Sequence, residues 1–88
     1  MEEQPQHLRH PGTITFINGL TNQVTHEVDA ASVPESIRFA PNANGKPEPV
    51  VRIVETTIGP QRTIRQYGAH NILLRSTIQF LEGGAGAG

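Results

Sequence analysis

Arg62-Thr63-Ile64-Arg65-Gln66-Tyr67 leads to Ser76-Thr77-Ile78-Gln79-Phe80-Leu81 and then to Gly83-Gly84. The first stretch reads as a turn-like segment. The second alternates apolar with polar residues and is rich in β-branched and aromatic side chains, so it predicts a strand, within a last strand region that runs from Ile72 to Leu81. The third has no Cβ, so its backbone can pass where a side chain would block and can take whatever φ and ψ a narrow channel demands. A final strand that runs out into a thin di-glycine tail organises the reading of everything upstream.

Working back from that end, Pro49-Val50-Val51-Arg52-Ile53-Val54-Glu55-Thr56-Thr57 is the best strand, rich in β-branched residues and stopped by Gly59-Pro60. Thr13–Ile17 and Gln23–Val28 alternate around turn-compatible residues that start at Asn18-Gly19, which predicts a hairpin over about 13–28. Between hairpin and strand, Ser32 suits a helix N-cap, Pro34 the first turn and Glu35 a capping box. That helix must be short, because Pro41-Asn42-Ala43-Asn44-Gly45-Lys46-Pro47 breaks it. A short strand over 36–40 competes with it. The elements predict one mixed sheet covered on one face by residues 30–40. The expected core is Ile14, Phe16, Val24, Val28, Ile37, Val51, Ile53, Ile78 and Phe80.

The 88 residues allow one domain. Residues 1–12 are polar and residues 83–88 are only Gly and Ala, so both flanks are expected to be disordered. About 70 residues remain, enough for a thin core and too few for an enclosed catalytic cavity. A net charge of −1 gives no whole-chain case for binding nucleic acid or membrane. Without Cys there is no disulfide framework, Cys-zinc site or thiol catalysis. The acidic, polar opening does not resemble a secretion signal, and no apolar run has membrane-spanning length, so a cytoplasmic protein is expected.

The order of the parts resembles ubiquitin and its relatives, with their β-grasp fold. Leu20-Thr21 and Glu27-Val28 are similar to the family's first hairpin, and Arg52-Ile53-Val54 to its Arg-Leu-Ile strand. Arg62-Thr63-Ile64 with Tyr67 and Ser76-Thr77-Ile78 resemble its Arg-Thr-Leu-x-x-Tyr and Ser-Thr-Leu stretches. The resemblance implies an α+β domain, a small ubiquitin-like β-grasp over 13–82, with a mixed sheet and one short helix. It implies a protein modifier, not an enzyme, joined to targets by an isopeptide bond. Gly83 and Gly84 would be the conjugation site, exposed after removal of Ala85–Gly88. Leu20, Arg52, Val54 and Leu81 would form a patch for partner proteins. Lys46, the sole lysine, would be the site of chain formation. Tyr67 would be partly buried, its hydroxyl bonded to backbone of a 59–70 turn. No cofactor or metal is implied. The chain departs from the family in its short helix, in a longer gap between Tyr67 and Ser76, and in Phe80-Leu81-Glu82 where a basic Leu-Arg-Leu-Arg run is usual. Two alternatives stay open: a small β-rich protein-binding module, viral or bacterial, that is never conjugated, and a sulfur carrier, which also ends in Gly-Gly.

Other residues carry weaker signals. Arg52, Arg62, Arg65 and Arg75 would make one basic face for an acidic partner or RNA, or simply a solvated surface. His7 and His10 have i,i+3 spacing, but a Pro-rich tail without Cys explains them without a metal. His26 alternates in phase with Val24 and Val28, which predicts a half-buried, hydrogen-bonded ring. Ser32, Ser36 and Ser76 lack sequence partners for a catalytic triad.

Overall fold

The computed structural model describes residue 10 and residues 12–81. Of the arm expected at 1–12, only His10 and Gly12 are therefore described, and the tail expected at 83–88, with Gly83 and Gly84, lies outside the described residues.

β1 (Thr13–Asn18) and β2 (Gln23–Asp29) form the expected antiparallel hairpin. Asn18 ties the turn: its Oδ1 accepts from Leu20 N–H at 2.8 Å and its carbonyl from Asn22 N–H at 2.7 Å. The register slips between Phe16 and Ile17, leaving Thr25 as the extra residue of a bulge. The chain then leaves the sheet. A 3-10 turn at Ala30–Ser32, α1 (Glu35–Arg38) and a two-stranded hairpin of β3 (Phe39–Pro41) and β4 (Pro47–Pro49) cross one face. Asn42 Oδ1 holds the 42–46 loop by accepting from Asn44 and Lys46 N–H, and Gly45 takes a positive φ of 79° there. The chain returns as β5 (Arg52–Ile58), parallel to β1, and finishes as a meander of β6 (Gln61–Tyr67) and β7 (Leu73–Phe80). The sheet order is β2-β1-β5-β6-β7. This is a mixed five-stranded sheet with one short helix, the coarse α+β architecture expected. β5 lies beside β1, and the last strand, β7, is an edge.

The front face of the sheet, carrying Ile14, Phe16 and Ile53, is the covered one. Ile14, Ala30, Ala40, Val50 and Ile53 form the buried cluster, with Phe16, Val28, Val33, Ile37, Ile64 and Leu74 packed against it. Phe39 is buried as well. His10 packs its ring edge-on to Phe39 at 6.0 Å. It accepts at Nδ1 from Gly12 N–H (3.3 Å), which leaves Nε2–H to donate to the Val50 carbonyl at 2.6 Å.

Several expectations are corrected. Residues 62–67 are not a turn but strand β6. The turn is only Gly59-Pro60, where Gly59 supplies the positive φ (59°) that a two-residue hairpin loop requires. Ser32 does not cap α1. Asp29 caps the preceding 3-10 turn, Ser32 Oγ donates to the Asp29 carbonyl at 2.6 Å, and Pro34 holds the cap position of α1. Val24, Val51, Ile78 and Phe80 are exposed and not core. Three of these, Val24, Ile78 and Phe80, sit on the back face or beyond the reach of the crossover, so alternation alone could not tell them from core residues.

Candidate functional site

The residues expected to form a partner patch are spread out. Leu20 is exposed at the β1–β2 turn and Leu81 is exposed just after β7, with its N–H bonded to the Pro60 carbonyl at 2.6 Å. Those two positions stand at opposite sides of the sheet, with β5 and β6 between. Val54 is half-buried in the middle of the back face. Arg52 is nearer the other end, its guanidinium over the Tyr67 ring at 4.6 Å and its Nε buried without a hydrogen-bond partner. Tyr67 thus ends a strand under Arg52, and the 59–70 turn expected to hold its hydroxyl is absent. Lys46 is exposed in the β3–β4 loop.

The four arginines do not share a face. The two-residue period of a strand sends Arg62 and Arg75 to the front and Arg52 and Arg65 to the back. The front pair is engaged. Arg62 bridges to Glu55 at 2.7 Å. Arg75 donates to Gln66 Oε1 at 2.7 Å and to the carbonyls of Ser36 (2.8 Å) and Phe39 (3.2 Å). Gln66, buried in the sheet, donates from Nε2 to the Ser36 and Ile37 carbonyls at 3.2 and 3.0 Å. A helix leaves its last carbonyls without intrahelical partners. Here two side chains of the sheet satisfy those of α1, and the crossover is fastened to β6 and β7. Beside this junction the uncovered part of the front face forms a shallow groove of about 470 Å³, with Phe16, Ile37 and Ile64 in it and Glu55, Arg62 and Gln79 along it. His26 stands at its margin, exposed and not half-buried as expected, stacked on Phe16 at 4.5 Å.

The back face carries a feature that periodicity did not isolate. Ile17 pairs with Val24 and with Val54, and Ile58 and Phe80 flank Gln61 from either side. Ile78 is two residues from Phe80 on the same face. Ile58, Ile78 and Phe80 gather where β5 and β7 end and β6 begins, while Val24 stands apart on the opposite edge strand, β2, with β1, β5 and β6 between it and β7. Val24 is 57 %, Ile58 65 %, Ile78 56 % and Phe80 71 % exposed. No described element covers them. An antiparallel sheet with one solvated face ordinarily alternates apolar inside with polar outside. Near Thr15, Arg52, Arg65 and Tyr67 the back face obeys that rule. At the hairpin end it does not. The signal available in the sequence was that Ile58, Ile78 and Phe80 fall on the face opposite to Ile53 and Ile64, but this needs the β5–β6–β7 register to be known.

Among the described residues, no group of three or more His, Asp and Glu is placed to hold a metal ion, and no helix is long and apolar enough to cross a membrane. No protein-family model, no curated protein and no solved structure matches the chain.

Proposed function

We propose that this chain is a non-catalytic protein-interaction module that docks the hairpin end of its back face onto an apolar surface of another protein. The observation that carries this reading is the group of Ile58, Ile78 and Phe80, exposed near one another on an uncovered sheet face. Contiguous exposed apolar surface on a small domain marks a place where another molecule binds. The rim suits such docking, because Arg65 and the threonines at 56 and 63 supply polar groups around an apolar centre. The test is affinity capture from the native host with quantitation of every co-purifying protein. One partner bound in stoichiometric amount, lost with Ile58→Glu or Phe80→Glu and retained with a front-face Gln79→Ala variant, supports the reading. Equal recovery with all three variants refutes it.

A second reading rests on a different observation, the Gly83-Gly84 pair that follows β7 almost at once. A first hairpin, a short helical crossover on one face and a strand returning parallel to β1 support a ubiquitin-like β-grasp, and with it a modifier used through its C-terminus. That reading requires a tail that departs from an edge strand, without the basic run usual in the family. Mass spectrometry of the native protein tests it. Chains ending at Gly84, or Gly-Gly remnants on lysines of other proteins, support conjugation, and a C-terminal thiocarboxylate supports sulfur transfer. An intact Gly88 terminus throughout refutes both.

A further inference from the structure

The two edges of the sheet differ in a way that bears on assembly. An edge strand presents unpaired N–H and C=O groups, and proteins guard such edges with charges, bulges, Pro or short length. β2 is guarded: it holds the bulge at Thr25 and carries Glu27 and Asp29. β7 is not. It is the longest strand, eight residues of Leu-Leu-Arg-Ser-Thr-Ile-Gln-Phe, with one charge, no Pro and no Lys. Its register irregularity is confined to the Leu73–Arg75 end, so Arg75 to Phe80 run regularly.

The hydrogen-bond pattern shows which groups of β7 have no partner among the described residues. Gly19 N–H bonds the Glu55 carbonyl, so odd-numbered residues of β5 turn toward β1 and even-numbered ones toward β6. Carried across the antiparallel ladders, that alternation turns Arg75, Thr77 and Gln79 toward β6, and the Leu81 N–H to Pro60 carbonyl bond agrees. The backbone groups of Ser76, Ile78 and Phe80 therefore point outward.

We propose that the chain forms a symmetric dimer in which β7 pairs antiparallel with β7 of a second copy, Ile78 lying on the two-fold axis. This register bonds every outward group of Ser76, Ile78 and Phe80. It sets Ile78 against Ile78 and Phe80 against Ser76 on the back, and Thr77 against Gln79 on the front. The strand is self-complementary in this arrangement. Arg75, its one charge, falls outside the central pairs on both copies and is already held by Gln66, Ser36 and Phe39, so no like charges oppose each other. With β2 guarded, pairing stops at two copies and does not propagate into a filament. The dimer goes beyond the docking function proposed above: it places two apolar hairpin ends in one continuous back face, a bivalent surface. Edge pairing alone buries little area, so the association is of the weak class.

Sedimentation velocity from about 5 to about 500 µM brackets such affinities. The expected result is a concentration-dependent shift from monomer to dimer and no larger species. Ser76→Pro removes an outward N–H and no bond to β6, and Ile78→Lys sets two ammonium groups face to face. Both, checked for native circular dichroism, are expected to stay monomeric across the range. Amide exchange of the wild type supplies a readout that needs no variant: the amides of Ser76, Ile78 and Phe80 should gain at least tenfold protection at high concentration, while that of Thr77 does not change by more than the global effect. A wild type that stays monomeric, a dimer that survives in either folded variant, or protection gained instead along β2 overturns the proposal. Loss of partner capture with Ile58→Glu in a chain that is always monomeric would leave the docking function standing and remove the dimer alone.

Discussion

Gln66 is the one polar side chain buried among the described residues, only 5 % exposed. In sequence it is a polar residue inside Arg-Thr-Ile-Arg-Gln-Tyr, indistinguishable from a solvated strand position. Its importance depends on α1 lying over it, 30 residues away in the chain, and no local pattern records that. Buried polar groups left without partners cost about 1–3 kcal/mol each. Gln66→Leu keeps the volume but strips the Ile37 carbonyl and the Arg75 Nε–H of their partners. It is expected to lower stability by about 1–3 kcal/mol, read as a shift of the urea midpoint at constant slope. An unchanged midpoint would mean that water replaces the side chain freely. Gly19 makes a different demand. A Cβ there would collide with Thr56 Oγ1 and stand 3.1 Å from Val54 Cγ1. Gly19→Ala is therefore expected to destabilise by about 1–3 kcal/mol, the range for overpacking. The Asn18-Gly19 pair was legible as a turn signal, but the close approach of β5 that forbids a side chain was not.

At the scale of elements, what was legible follows from how local the cause is. β5 was found because β-branched residues crowd 50–57 and Gly59-Pro60 ends them. The hairpin of β1 and β2 was found because each strand alternates and a turn signal separates them. α1 was seen to be short because Pro41 closes it. β6 was missed although Thr63, Ile64 and Tyr67 are β-formers, because the resemblance gave the stretch a different role. The split of the arginines between faces followed from the same omission, since the faces of β6 and β7 are defined only once both are strands. Five of the nine expected core residues lie in or against the core for a similar reason: Ile14 and Ile53 lie under the crossover, whereas Ile78 and Phe80 lie on the side the crossover never reaches. A paired prediction follows from that contrast. Ile53→Ala should cost about 2–5 kcal/mol, as for a filled core position. Phe80→Ala should cost no more than about 0.5 kcal/mol, as for a surface position, when melting is followed at a concentration low enough for the monomer. Equal losses at the two sites would mean that the back face is packed in solution.

At the scale of the whole molecule, the domain has two unlike ends. At one, the crossover lies on the front face, and Ile14, Ala30, Phe39, Ala40, Val50 and Ile53 are buried. At the other, the strand ends and turns carry Leu20, Val24, Ile58 and Phe80 into solvent. Local stability follows buried apolar contact, so a chain built this way should open from the exposed end first. Native-state amide exchange tests that gradient. The amides of Ile14, Ile53 and Gln66 are expected to exchange only through global unfolding, with the full dependence on denaturant. Those of Asn18, Thr56 and Gln79, though also in strands, are expected to exchange through smaller openings that cost less and depend weakly on denaturant. Docking of an apolar partner, or pairing of two copies along β7, adds contact only at the weak end. Docking should therefore raise protection at Thr56 and Gln79 toward the global value, pairing should raise it at Ser76, Ile78 and Phe80, and both should leave Ile14 and Ile53 tracking overall stability alone. A free monomer with uniform protection from one end of the sheet to the other would show that the exposed apolar cluster is no weak point, and would remove the physical reason for the sheet to recruit a partner there.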